Sequence, residues 1–136
     1  MYEVFEHTAD LGLRIIASDL NTLFAQAGKG FFSLVVENID DVRPLEHLTI
    51  KIEGEDLEYL FFDWLNELLY ISETKHLVFS EFTVNVDKTG LTAQISGEKL
   101  DPSRHMLDHE VKAITYHGLL VTEKENGWLA EVILDI

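Results

Sequence analysis

GLLVTEKENGWLAEVILDI, residues 118–136, is the stretch whose reading decides the fold. Alternating segments flank Asn126-Gly127. An Asn-Gly pair in that setting is the strongest short signal for a β-hairpin. Two long strands are therefore expected, over about residues 111–124 and 128–135. If Asn126 and Gly127 form a two-residue turn, Glu125 pairs with Trp128. Val121 then faces Val132, Gly118 faces Asp135 and His117 faces Ile136. A slip of one residue would reverse every face.

Working upstream, the pattern from His76 onward is also β. Phe82, Val84 and Val86 alternate up to an Asp87-Lys88-Thr89-Gly90 turn, and Leu91, Ala93 and Ile95 alternate after it. A polar loop with Asp101-Pro102 separates this hairpin from the last one. Before it, Leu57, Leu60, Phe61, Trp64, Leu65, Leu68 and Leu69 form one wide apolar stripe, which predicts a core helix from Asp56 to about Ser72. Residues 47–53 alternate as a strand and Gly54 stops it. A first helix is predicted from Leu20 to Val35, with Ser18 or Asp19 as its cap. Gly28 and Gly30 each cost about 1 kcal/mol inside it relative to Ala, which close packing against a strand would explain. Residues 2–6 and 11–17 read as short strands around a His7-Thr8-Ala9-Asp10 turn. The expected architecture is α+β: one domain over residues 1–136, a mainly antiparallel sheet with two helices packed against it.

Composition narrows the function. Apolar residues make up 46% of 136, enough for a core without staples. There are no cysteines, which excludes disulfides, thiolate zinc sites and a cysteine nucleophile. The start, MYEVFEHTAD, has no basic region followed by an apolar run, and no apolar stretch is long enough to span a membrane. A cytoplasmic protein is the simplest expectation. Net charge is −15, which argues against stable direct binding to nucleic-acid phosphates. Acidity peaks between Glu37 and Asp63, where nine carboxylates meet only Arg43 and Lys51. Such a surface suits solvation, cations or a basic partner.

Asp135 and the carboxylate of Ile136 would place two anionic groups within one residue. Clustered carboxylates repel unless one takes a proton or a cation arrives. Oxygen-only donors favour calcium, magnesium or manganese over zinc. A further carboxylate is needed from elsewhere, and Asp10 is the candidate, although no spacing connects it to Asp135.

Four segments together resemble the archease family: His7-Thr8-Ala9-Asp10-Leu11-Gly12, Trp64-Leu65-Asn66-Glu67-Leu68-Leu69-Tyr70, Lys112-Ala113-Ile114-Thr115-Tyr116-His117 and Leu134-Asp135-Ile136. They span the chain in the family's order. The resemblance implies a strand–helix–strand–strand core. It also implies a non-enzymatic accessory protein for an RtcB-type RNA ligase. Such ligases use GTP to join a 3′-phosphate or 2′,3′-cyclic phosphate end to a 5′-hydroxyl, including in tRNA splicing. The archease promotes ligase guanylation and repeated turnover. The family's metal site maps onto Asp10, Asp135 and Ile136, for a divalent cation with calcium foremost and magnesium or manganese as alternatives. Lys112, His117 and His7 are the further functional residues implied. Regular alternation puts Lys112 and His117 on opposite faces, so either a bulge re-aims one or they serve different purposes.

Other motifs carry less. His105 and His109 flank Asp108 at zinc-like spacing, but the segment is short and lacks the glutamate of a zinc protease. His47 and His76 read as strand-edge residues. No nucleophile elbow or phosphate-binding loop is present. Two rival functions stand beside the accessory role. One is a metal-dependent phosphoesterase or other hydrolase using His7 or His117 as base. The other is a chaperone-like modulator of other RNA-processing enzymes.

Overall fold

The computed structural model describes residues 1–7 and 10–136. Strands β1 (Tyr2–His7) and β2 (Asp10–Ala17) form the first hairpin, and helix α1 (Leu20–Val35) follows. A short 3-10 turn, Ile39–Asp41, leads into β3 (Glu46–Glu53) and helix α2 (Leu57–Lys75). Strands β4 (Leu77–Asp87), β5 (Gly90–Lys99), β6 (Ala113–Lys124) and β7 (Gly127–Asp135) complete the chain. The strands divide into two antiparallel sheets, with orders β1-β2-β7-β6 and β3-β5-β4. The α+β expectation holds, with two sheets rather than one.

Local chemistry sets the helix ends, and for α1 the cap is one of the two residues expected from the sequence. Asp19 caps α1 by accepting the Thr22 N–H at 2.8 Å, and Asp56 caps α2 by accepting the Tyr59 N–H at 3.0 Å. α2 ends where His76 turns left-handed, at φ 54°, and donates its N–H to Ser72 O. His76 is thus a helix terminator rather than a strand-edge residue. His47 does sit on β3, with Nδ1 2.7 Å from Ser96 Oγ.

α1 is wedged between the sheets, and its glycines permit this. A Cβ on Gly28 would meet the Phe82 ring of β4 at 2.8 Å. One on Gly30 would meet Leu13 of β2 at 2.9 Å and Tyr2 of β1 at 3.1 Å. Their cost to helix propensity is offset by close approach to both sheets. α2 buries Leu60, Phe61, Trp64, Leu65 and Leu68 in one continuous core shared with both sheets. Each such burial contributes about 1.5–3 kcal/mol before chain entropy is subtracted. The two helices are tied by the Trp64 indole N–H, which donates to Phe24 O at 2.8 Å, and by the edge-on rings of Phe24 and Phe61.

The last hairpin departs from the predicted register. Lys124 pairs with Gly127, Glu123 with Trp128 and Val121 with Ala130, so the two-residue turn is Glu125-Asn126. The slip is two residues, which preserves the faces. A larger change follows. After Leu120 opposite Glu131, the next pair is Thr115 opposite Ile133. Four residues, Tyr116 to Leu119, therefore bulge opposite Val132 alone. Gly118 sits in this bulge at φ +70°, a conformation that glycine adopts freely. The predicted pairings of Val121 with Val132, Gly118 with Asp135 and His117 with Ile136 are thus replaced, and Asp135 stands opposite Ala113.

A buried ion cluster fixes the crossing between the sheets. Glu98 at the end of β5 is 4% exposed. It accepts the Arg43 backbone N–H at 2.7 Å, Arg43 Nη2 at 3.0 Å and Arg104 Nη1 at 2.8 Å. His105 Nε2 lies 3.1 Å away, and the His105 Nδ1 accepts the Asp101 N–H at 2.9 Å. Both ring nitrogens of His105 are thereby engaged and its side chain is fully buried, which removes it from any zinc pair with His109. The loop then supplies Asp108 and His109 N–H groups to the Val35 and Leu34 carbonyls, closing the end of α1.

Candidate functional site at the end of the four-stranded sheet

β2 lies between β1 and β7, and the pairing draws distant residues into one row. His7 pairs with Asp10, Asp10 with Asp135, and Asp135 with Ala113. The first and last strands are joined because β7 inserts between β2 and β6. Side-chain alternation settles the face. Leu13 and Ile15 on β2, and Ala130, Val132 and Leu134 on β7, point into the core with no exposure. Asp10 and Asp135 have the opposite parity, so both lie on the outer face, away from the helices. Both are half-buried, as is Ile136. The predicted turn residues Thr8 and Ala9 and the His7 side chain lie outside the described residues.

The next rows on this face hold the strands in place. The ring of Phe5 on β1 crosses over Gly12 on β2, where an added Cβ would meet Phe5 Cζ. The Arg14 guanidinium lies 4.8 Å above the centre of that ring. Arg14 also bridges outward, to Glu3 at 2.8 Å on β1 and to Glu131 at 3.1 Å on β7. These bonds hold its side chain charged and raise its pKa, the Glu3 hydrogen bond contributing most. The Gly12 of the His-Thr-Ala-Asp-Leu-Gly segment therefore serves a local packing purpose, leaving room for an aromatic ring in the row beside the acidic pair.

Lys112 and His117 flank the row differently. The Lys112 backbone N–H donates to Asp135 O at 2.7 Å, and its side chain is exposed. His117 is exposed within the four-residue bulge of β6. A bulge does interrupt the strand between the two, as one of the sequence alternatives required.

The donor set at the row suits a hard cation. Asp10 and Asp135 supply oxygens from adjacent strands, and the position next along the chain, Ile136, is half-buried beside them. Among the described residues no group of three or more His, Asp or Glu side chains gathers in metal-binding geometry. Also among the described residues, no helix is long and apolar enough to cross a membrane.

The model of the Archease protein family (MTH1598/TM1083) matches residues 2–136. The chain belongs to the archease family. Its sequence is 40% identical over 140 residues to the protein archease of Pyrococcus abyssi, covering 99% of this chain and 98% of the relative. It is 37% identical over 137 residues to that of Sulfurisphaera tokodaii, with the same coverage. The solution structure of Methanobacterium thermoautotrophicum protein 1598 superposes with a TM-score of 0.88 at 33% identity, over 99% of this chain and 98% of that one. In this chain the insertion of β7 beside β2 makes the Asp10–Asp135 row.

Sequence reading left the bulge of β6 as one of two alternatives and missed two features of this chain. The Glu98 cluster left no periodic trace, since its partners lie 55 and 6 residues away. The aromatic contact between Tyr59 and Tyr116 was likewise hidden by separation along the chain.

Proposed function

We propose that this chain is an accessory protein that activates an RtcB-type, GTP-dependent RNA ligase, promoting its guanylation and repeated turnover in RNA joining such as tRNA splicing. In this reading it acts in the cytoplasm and catalyses no reaction alone. Asp10, Asp135 and Ile136 hold a divalent cation, which supplies a fixed positive charge at the sheet's end. The single observation that carries the reading is the direct opposition of Asp10 and Asp135 across β2 and β7. Membership of the archease family supports the accessory role.

Lys112 is the residue for contacting the ligase or its nucleotide phosphates, because its backbone is anchored to Asp135 while its side chain reaches solvent. His117, carried on the bulge, and His7, opposite Asp10 in the pairing, are the further functional residues. The charge of −15 directs the protein to the enzyme rather than to RNA.

Multiple-turnover ligation by the cognate ligase tests this directly. Wild-type protein should stimulate turnover, and Asp10→Ala and Asp135→Ala should not. No stimulation by the wild type ends the accessory reading. Stimulation by both variants at the wild-type level ends the role of the cation. Phosphoester hydrolysis by the pure protein would favour the hydrolase instead. Equal binding to several unrelated RNA-processing enzymes would favour a chaperone-like modulator.

A further inference from the structure

The bulge of β6 carries an aromatic surface on the helix side of the sheet, opposite the acidic row. Tyr116 stacks on Tyr59 of α2, with ring centres 5.1 Å apart and planes at 24°, and meets Phe62 edge-on at 5.4 Å. Neither tyrosine is covered: Tyr59 is 58% exposed and Tyr116 40%. Exposed aromatic groups of this kind are enriched where proteins meet partners.

Carboxylates border the rings. Asp56 is fixed at the start of α2 by the Tyr59 N–H. Glu58 is fixed by the Val121 N–H of β6, which donates to its Oε2 at 3.2 Å. β6 is the outer strand of its sheet, so Glu58 also blunts an open edge. Burial, then Tyr59, then Glu58 and Asp56 push the Tyr116 hydroxyl above its ordinary value.

We propose that this surface docks an arginine-bearing segment of a protein partner, with the guanidinium lying on the Tyr59 and Tyr116 rings and paired by Glu58 and Asp56. Charge complementarity selects the occupant. A nucleic-acid backbone would bring phosphates against carboxylates. A second copy would bring another net charge of −15. A purely apolar segment would strip water from the two carboxylates without pairing them. Arginine fits better than lysine because its planar, weakly hydrated cation stacks on rings while its N–H groups reach carboxylates. The surface stands apart from Asp10 and Asp135, so it holds whether or not a cation binds there.

The test is an NMR titration of the whole ¹⁵N-labelled chain with acetyl-Gly-Arg-Gly-Arg-Gly-amide and with its citrulline counterpart, which keeps the shape and removes the charge. Shifts should centre on Tyr59, Phe62, Tyr116 and Val121 for the arginine peptide and be much weaker for the citrulline one. Tyr59→Ala should weaken binding about tenfold and Tyr59→Leu nearly as much, while Tyr59→Phe should retain it. Equal binding by Tyr59→Ala, or shifts spread over the acidic stretch 37–63 without this focus, would overturn the proposal. So would the same local shifts with a single-stranded RNA oligonucleotide, or wild-type self-association that Tyr59→Ala abolishes.

Discussion

Asp10 pairs with Asp135 across β2 and β7, joining residues from the first hairpin and the last. Ligand binding to the folded state alone adds stability that grows with occupancy, about 2.7 kcal/mol at a hundredfold excess over Kd. Saturating calcium should therefore raise the melting temperature of the wild type. Asp10→Asn and Asp135→Asn should lose most of that rise, and the double variant should lose little more than either alone. Thermal scans with calcium and with chelator check this, and an undiminished rise in both single variants would remove the two carboxylates as ligands.

Gly12→Ala should destabilise the fold by about 1–3 kcal/mol, the usual range for overpacking. Its Cβ would enter the space of the Phe5 ring, and Arg14 rests on that ring. Adding Phe5→Leu to Gly12→Ala should recover part of the loss, because a smaller side chain vacates the contact. Urea unfolding of the two singles and the double measures the coupling; strict additivity would argue against the ring contact as the cause.

Gly118→Ala should cost about 1–2 kcal/mol for a different reason. Nothing lies within 4 Å of the added Cβ, so crowding plays no part and only the left-handed backbone resists. Gly118→Asn, which tolerates that conformation, should cost less. If alanine and asparagine prove equally disruptive by chemical denaturation, conformation is not what selects glycine here.

Acid should unfold the protein partly through Glu98. Burial opposes the charged form, but hydrogen bonds from Arg104, the Arg43 backbone, His105 and the Arg43 side chain overcome it and hold the carboxyl well below the usual carboxylate range. A depressed carboxyl contributes stability that is full above its unfolded value, about 4.3, and is lost as pH falls toward the folded one. Glu98→Gln should thus lower stability at neutral pH by about 1–3 kcal/mol, discounted because Arg43 and Arg104 are partly solvated. Its stability should also decline less steeply than that of the wild type below about pH 5. Parallel pH profiles for the two proteins would assign the acid sensitivity elsewhere.

Much of the fold was legible because it is written in local periodicity. The α2 stripe, the Asp19 cap and the Asp87–Gly90 turn each follow from residues a few positions apart, and each appears where expected. The close packing inferred for Gly28 and Gly30 also appears, with named neighbours on both sheets. The hairpin register was misjudged because Glu125-Asn126, not Asn126-Gly127, occupies the turn, and because strand alternation cannot reveal a four-residue bulge. For the site, residue types suggested oxygen donors, but only the strand order brings Asp10 beside Asp135. Pairing of strands this far apart is a tertiary fact, fixed by which faces the helices cover.

The central place of β7 has a kinetic side. β2 and β6 gain their shared neighbour only when residues 127–135 have been synthesised and have threaded between them. Until then, two strand edges stand open on a nascent chain whose α1 can already be helical. Pairings that span nearly the whole sequence are slow to form. Assembly of the four-stranded sheet should accordingly be the late step in maturation, and the interval before it the period of greatest exposure to chaperones and aggregation.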